Sequence, residues 1–169
     1  MSYETDQAEK RPLNKRGVFC RLQPMWLNPL ADRLQGRKVL EIMSGPGHLG
    51  AELSARGVDI ICTDDYSWYT MHGRVLDYPV QMLSDIDAIE KYRHSDVLLC
   101  SWPPYQGEEF TEACRAWGPK KDIVFIGEGE RGCTADDSFF DGFRSDECIP
   151  MTSWDGIHDN VEIGRFYDN

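Results

Sequence analysis

Three groups of side chains in this sequence have types and spacings suited to chemistry. The first is Gly45-Pro46-Gly47-His48-Leu49-Gly50, which matches G-x-G-x-x-G after the apolar run Val39-Leu40-Glu41-Ile42. Glycines at a strand-to-helix junction let the backbone turn tightly and approach a ligand. Glu41 stands at the strand's end, and Asp64 closes the next β-branched run, placed to accept hydrogen bonds from a ribose hydroxyl pair. The loop pattern alone also describes nicotinamide-dinucleotide sites, whose enzymes usually need a further catalytic domain. It is equally compatible with a glycine-rich turn that encloses a buried, salt-bridged Glu41.

The second group is Ser101-Trp102-Pro103-Pro104-Tyr105, at the end of the run Asp96-Val97-Leu98-Leu99-Cys100. Consecutive prolines fix φ and remove two backbone donors, which makes a rigid corner at the carboxyl end of a strand. Tyr105 adds an aromatic face beside it. The third group collects later in the chain: Glu128 and Glu130 after another apolar run, then Trp154, Gly156, His158 and Asp159 in a turn. His158 titrates in a range useful to a general base. The plainer alternatives are that His158 caps a turn and that Glu128 pairs with Arg131.

The elements that must carry these groups follow from periodicity. Residues 22–34 place Trp26, Leu27, Leu30 and Leu34 at helical spacing, with Pro24 in the first turn and Gly36 as the stop. Strands are expected at 38–42, 58–63, 96–101 and 122–127, with a weak one at 80–83. Helices are expected at 47–56, 85–93, 108–117 and 135–143. Such alternation predicts an α/β fold, a mostly parallel sheet covered on both faces. Strands at 148–152 and 161–166 have too short a connection for a parallel crossover, so the last strand should run antiparallel. Every other strand then delivers its carboxyl end to one edge, where open α/β sheets bind ligands. Residues 1–16 are polar and aperiodic and read as a flexible arm; 17–169 read as one domain.

The stretch Val39-Leu40-Glu41-Ile42-Met43-Ser44-Gly45-Pro46-Gly47, followed by Asp64, resembles class I S-adenosylmethionine-dependent methyltransferases, which have a three-layer Rossmann-like sandwich. The resemblance implies S-adenosyl-L-methionine as cofactor, with Glu41 near its methionine end. It assigns the cofactor bed to Glu41, Met43, Ser44, Gly45, Gly47, Asp64, Asp65, Tyr66, Asp85 and Ser101. Tyr66, Trp68 or Tyr69 would stack on the adenine, and Asp85 would bond its amino group. Met43 stands where the family usually carries its first glycine. The Pro-Pro-Tyr corner resembles the Asn/Asp-Pro-Pro-Tyr motif of amino-group methyltransferases, with Trp102 in the first position. An indole nitrogen only donates, so Trp102 cannot accept a hydrogen bond from a target amine; Ser101 is the nearest substitute. The catalytic candidates are Trp102, Pro103, Tyr105, Glu128 and His158. From Val39 onward the chain also resembles short methyltransferase-like proteins with a Trp-Pro-Pro-Tyr corner and a Gly-Cys-Thr-Ala-Asp-Asp-x-Phe-Phe segment, here starting at Gly132.

Composition narrows the partners. A formal net charge of −11 over 169 residues, with no basic stripe, argues against autonomous nucleic-acid binding. The apolar runs are too short to span a bilayer and no signal-type stretch opens the chain, so a cytoplasmic location is expected. The six cysteines form no CxxC pair; they read as reduced thiols, and no metal site is expected. The function expected is methyl transfer from S-adenosylmethionine to a small or planar acceptor, amino-bearing if the corner acts as in its relatives. The alternative is a non-catalytic cofactor-binding or scaffold subunit that works with a partner.

Overall fold

The structure is a computed structural model that describes residues 3–67, 76–129 and 132–168. Trp68, Tyr69, Glu130 and Arg131 lie outside the described residues. Seven strands form one sheet: β1 (Lys38–Ile42), β2 (Asp59–Asp64), β3 (Val80–Met82), β4 (Val97–Ser101), β5 (Asp122–Glu128), β6 (Phe143–Pro150) and β7 (Asp159–Phe166). Their order is β3-β2-β1-β4-β5-β7-β6. The first five pair in parallel, and β7 pairs antiparallel with both β5 and β6. The sheet is therefore mostly parallel, with its last strand reversed and inserted between β5 and the edge strand β6. The order reverses between β1 and β4, which opens a crevice at their carboxyl ends.

Period-two alternation assigns the central strands to two cores. Val39, Val97, Leu99 and Val124 face one layer, covered by α2 (Pro24–Leu34) and α3 (His48–Ser54). Leu40, Leu98, Cys100 and Phe125 face the other, covered by α4 (Asp85–Lys91), α5 (Glu109–Trp117) and α6 (Asp137–Gly142). Phe139 of α6 anchors that second core, 4.8 Å from Phe110 and 4.9 Å from both Phe125 and Phe143 by ring centroids.

Two segments differ from the sequence expectation. The stretch read as a flexible arm carries a helix, α1 (Tyr3–Asn14). Its tethers are polar: Asp6 is buried and accepts the Asp155 amide at 2.6 Å, and Arg16 pairs with Asp77. A helix fastened by charges leaves no apolar stripe for periodicity to detect. β6 begins at Phe143, five residues before the expected start, because residues 144–147 of this edge strand are polar and exposed. That same extension shortens α6.

Candidate functional site

The loops after β1, β2 and β4 each contain a non-glycine residue in the left-handed region: Met43 (φ 52°), Tyr66 (φ 60°) and Trp102 (φ 56°). Side chains there cost roughly 1–2 kcal/mol each, and such strain clusters at binding sites. All three sit at the carboxyl edge of the sheet. A cleft of about 400 Å³ opens there, with Met43 and Trp102 in its walls.

On one side the cleft is polar. Gly45 (φ 58°) turns the β1–α3 loop inward, and its amide donates to Asp64 Oδ2 at 2.8 Å. The Tyr66 amide donates to Asp64 Oδ1 at 2.7 Å. Asp64 thereby clamps two loops while it lines the cleft. Burial pushes its carboxyl up, partly offset by those two amides. Asp65 and Asp85 line the same wall. Asp85 opens α4 behind Ser84, whose hydroxyl accepts the Asp87 amide. Burial, then the nearby Asp65, Asp64 and Glu109, push the Asp85 carboxyl up to about 7.

Glu41 lies deeper, 1% exposed, and accepts the Cys62 thiol at 3.0 Å. Burial pushes its carboxyl up to about 8. With Ser44 and Cys20 it lines an inner recess of about 30 Å³ that shares Met43, Ser101 and Trp102 with the main cleft. The Ser44 hydroxyl is buried there without a hydrogen-bond partner among the described residues.

The opposite side is the proline corner. The Trp102 amide donates to Ile126 O at 2.7 Å, its indole Nε1 donates to Asp159 Oδ2 at 3.2 Å, and its ring stacks on Phe19 at 5.8 Å. Pro103 is buried, while Pro104 and Tyr105 are exposed at the rim. The Gly132-to-Phe140 segment braces this corner from behind. Ala135 donates its amide to Pro103 O at 3.3 Å and accepts the Gln106 amide at 3.0 Å. Thr134 bonds to Glu128 O at 2.7 Å, and Asp136 caps α6 while holding Thr111. The two motifs of the sequence are thus halves of one clasp.

Of the expected site residues, Met43, Gly45, Asp64, Asp65, Asp85, Ser101, Trp102, Pro103 and Tyr105 meet in the cleft, and Glu41 and Ser44 in the recess. Four do not. Gly47 faces β3: a Cβ there would fall 2.9 Å from Tyr78 Cβ and Val80 Cγ2, so this glycine serves packing. Tyr66 is buried, with its hydroxyl donating to Val80 O at 2.8 Å, so it braces β3 and does not line the cleft. Glu128 accepts the Cys133 amide and thiol on one oxygen and the His158 amide on the other. Burial works against its charge, but these hydrogen bonds outweigh it and hold the carboxyl below its usual range, which makes it a weak base. His158 is exposed and lines neither cavity. Phe19, Gly17 and Glu109 line the cleft but were not anticipated. Glu109 read only as part of a helix start, and Phe19 falls in a segment with no periodic signal.

No family model matches the chain, and no curated protein matches it. Solved structures do. A variant of MtNAS in complex with S-adenosylmethionine superposes with TM-score 0.58 and 17% identity, covering 98% of this chain and 70% of that one. A 1,6-didemethyltoxoflavin-N1-methyltransferase of Burkholderia thailandensis, with bound 1,6-didemethyltoxoflavin and S-adenosylhomocysteine, gives TM-score 0.54 and 11% identity over 98% of this chain and 85% of that one. The S-adenosylmethionine-dependent methyltransferase SibL gives TM-score 0.54 and 12% identity over 86% and 54%. The fold is the Rossmann-like one of S-adenosylmethionine-dependent methyltransferases.

Proposed function

We propose that this protein binds S-adenosylmethionine in the cleft and transfers its methyl group to a small planar acceptor. The observation that carries the reading is one cleft walled by Gly45, Asp64 and Asp85 on one side and by the Trp102-to-Tyr105 corner on the other. The donor set fits the cofactor. Asp64 and Asp85 offer acceptors to ribose hydroxyls and an adenine amine, Glu41 offers a carboxylate to an ammonium, and the Ser44 hydroxyl, unpartnered among the described residues, lines the recess. Once bound, the cofactor supplies a methyl group already activated on a sulfonium. The protein's own task is then alignment and exclusion of water. Pro103 and Pro104 give the acceptor wall its rigidity, and Phe19, Trp102 and Tyr105 offer flat faces to a ring.

A second reading has its own observation. The position that is Asn or Asp in amino-group methyltransferases holds Trp102, whose N–H is turned to Asp159, and Pro103 O already accepts the Ala135 amide. A non-catalytic cofactor-binding subunit would tolerate both.

Calorimetric titration with S-adenosylmethionine, S-adenosylhomocysteine and NAD tests the reading. Binding of both adenosyl ligands but not NAD, weakened in Asp85→Ala and Asp64→Ala, is expected. A folded protein that binds neither adenosyl ligand overturns it. Binding without turnover across a panel of planar acceptors favours the second reading.

A further inference from the structure

We propose that the acceptor is a planar nitrogen base, neutral when it reacts and cationic when it leaves, and that acceptors bearing phosphate or carboxylate are rejected. This rests on the methyltransferase reading and narrows it.

The cleft's charge is one-sided. Asp64, Asp65, Asp85 and Glu109 line it, and no Lys, Arg or His is among the described residues that do. Like charges in a shared, partly desolvated cavity repel, and such juxtaposition selects against wrong partners. The cofactor reading takes up Asp64 and Asp85 but leaves Glu109 unused. Glu109 sits beside the proline corner: a Cβ on Gly107 would fall 2.3 Å from its Oε2 and 3.3 Å from Pro104 Cβ. The acceptor wall is therefore flanked by a carboxylate.

The aromatic wall points the same way. Ring faces attract cations. The Trp102 N–H donates to the buried Asp159 carboxylate, which draws positive charge out of the indole and makes its face more electron-rich.

The balance of the transfer fits these walls. The nitrogen lone pair forms the new N–C bond as the C–S bond breaks, and that electron pair stays on sulfur. The positive charge moves from sulfur to nitrogen, and no proton has to leave. Such a reaction needs no general base, in keeping with Glu128 and His158 lying outside the cleft lining.

The test loads the protein with S-adenosylhomocysteine and titrates N-methylisoquinolinium against isoquinoline-1-carboxylate, read by calorimetry. The cation should bind at least about tenfold tighter than the anion. Glu109→Gln, titrated with S-adenosylhomocysteine at saturation, should cut that preference several-fold. If S-adenosylhomocysteine itself does not bind, the methyltransferase reading fails. If it binds but the cation is not preferred over the anion, or Glu109→Gln keeps the full preference, this inference fails alone.

Discussion

The indole of Trp102 donates to Asp159 Oδ2 at 3.2 Å, across 57 residues of sequence. Asp159 is 1% exposed, and its Oδ1 has no partner among the described residues. The bond fixes the cleft wall while burying a carboxylate that is only half satisfied. Asp159→Asn removes the charge and keeps an oxygen for the indole, so its stability should match or exceed that of the parent. Asp159→Leu orphans the Trp102 N–H and should cost about 1–3 kcal/mol in urea unfolding, with a changed tryptophan emission.

If Glu41 and Asp85 hold the cofactor as proposed, stability and cofactor affinity should move in opposite directions with pH. Their folded pKa values, about 8 and about 7, lie above the ordinary carboxyl values of 4.5 and 3.8, so the folded state holds more protons. Their contribution to stability is therefore greatest below those ordinary values and falls as pH rises toward 8. A cationic cofactor favours the ionised carboxylates, so its affinity should rise over that window. Calorimetry of S-adenosylmethionine from pH 6 to 9 checks the affinity, and thermal melts check the stability. Glu41→Gln should flatten most of the pH dependence above pH 7 and weaken binding roughly tenfold, of the order of one lost charge contact.

Much of this was legible in the residues. β1, β4 and β5 announce themselves because strands buried on both faces are continuous apolar runs, and Asp64 and Asp85 fall at strand or helix ends that patterning locates. Gly47 misled because a glycine reads the same whether a ligand or a side chain occupies the space it leaves; here Tyr78 and Val80 do. Tyr66 misled because its hydroxyl found a backbone carbonyl on β3. Phe19 stayed hidden because it reaches the site only through tertiary contacts: its carbonyl accepts the Trp154 indole at 3.0 Å, and its ring lies on Trp102.

The clasp behind the corner should be the least tolerant part of the site. Phe139 is fully buried among the rings of Phe110, Phe125, Phe140, Phe143 and Phe166. Phe139→Ala should cost about 3–5 kcal/mol, seen as a lower urea midpoint with unchanged slope. Ala135 holds φ 56° in the same segment. Ala135→Gly removes the Cβ penalty at that φ and should be neutral or stabilising by up to about 1 kcal/mol, without loss of the Pro103 and Gln106 bonds.

Asp77 ties the N-terminal segment to the β1–α3 loop. Its carboxylate pairs with Arg16 and lies 3.1 Å from His48 Nδ1, while its amide donates to Pro46 O at 2.8 Å. Arg16 directly precedes Gly17, and Gly17 and Phe19 form part of the cleft wall. Asp77→Asn keeps the backbone bond and removes the charge that holds Arg16. The pair is only partly buried, so its worth is about 0.2–1 kcal/mol. S-adenosylhomocysteine affinity should therefore fall by up to about fivefold. The parent's affinity should also weaken with added salt more steeply than the variant's. Equal salt slopes for the two proteins would mean that the Asp77–Arg16 pair does not position Gly17 and Phe19.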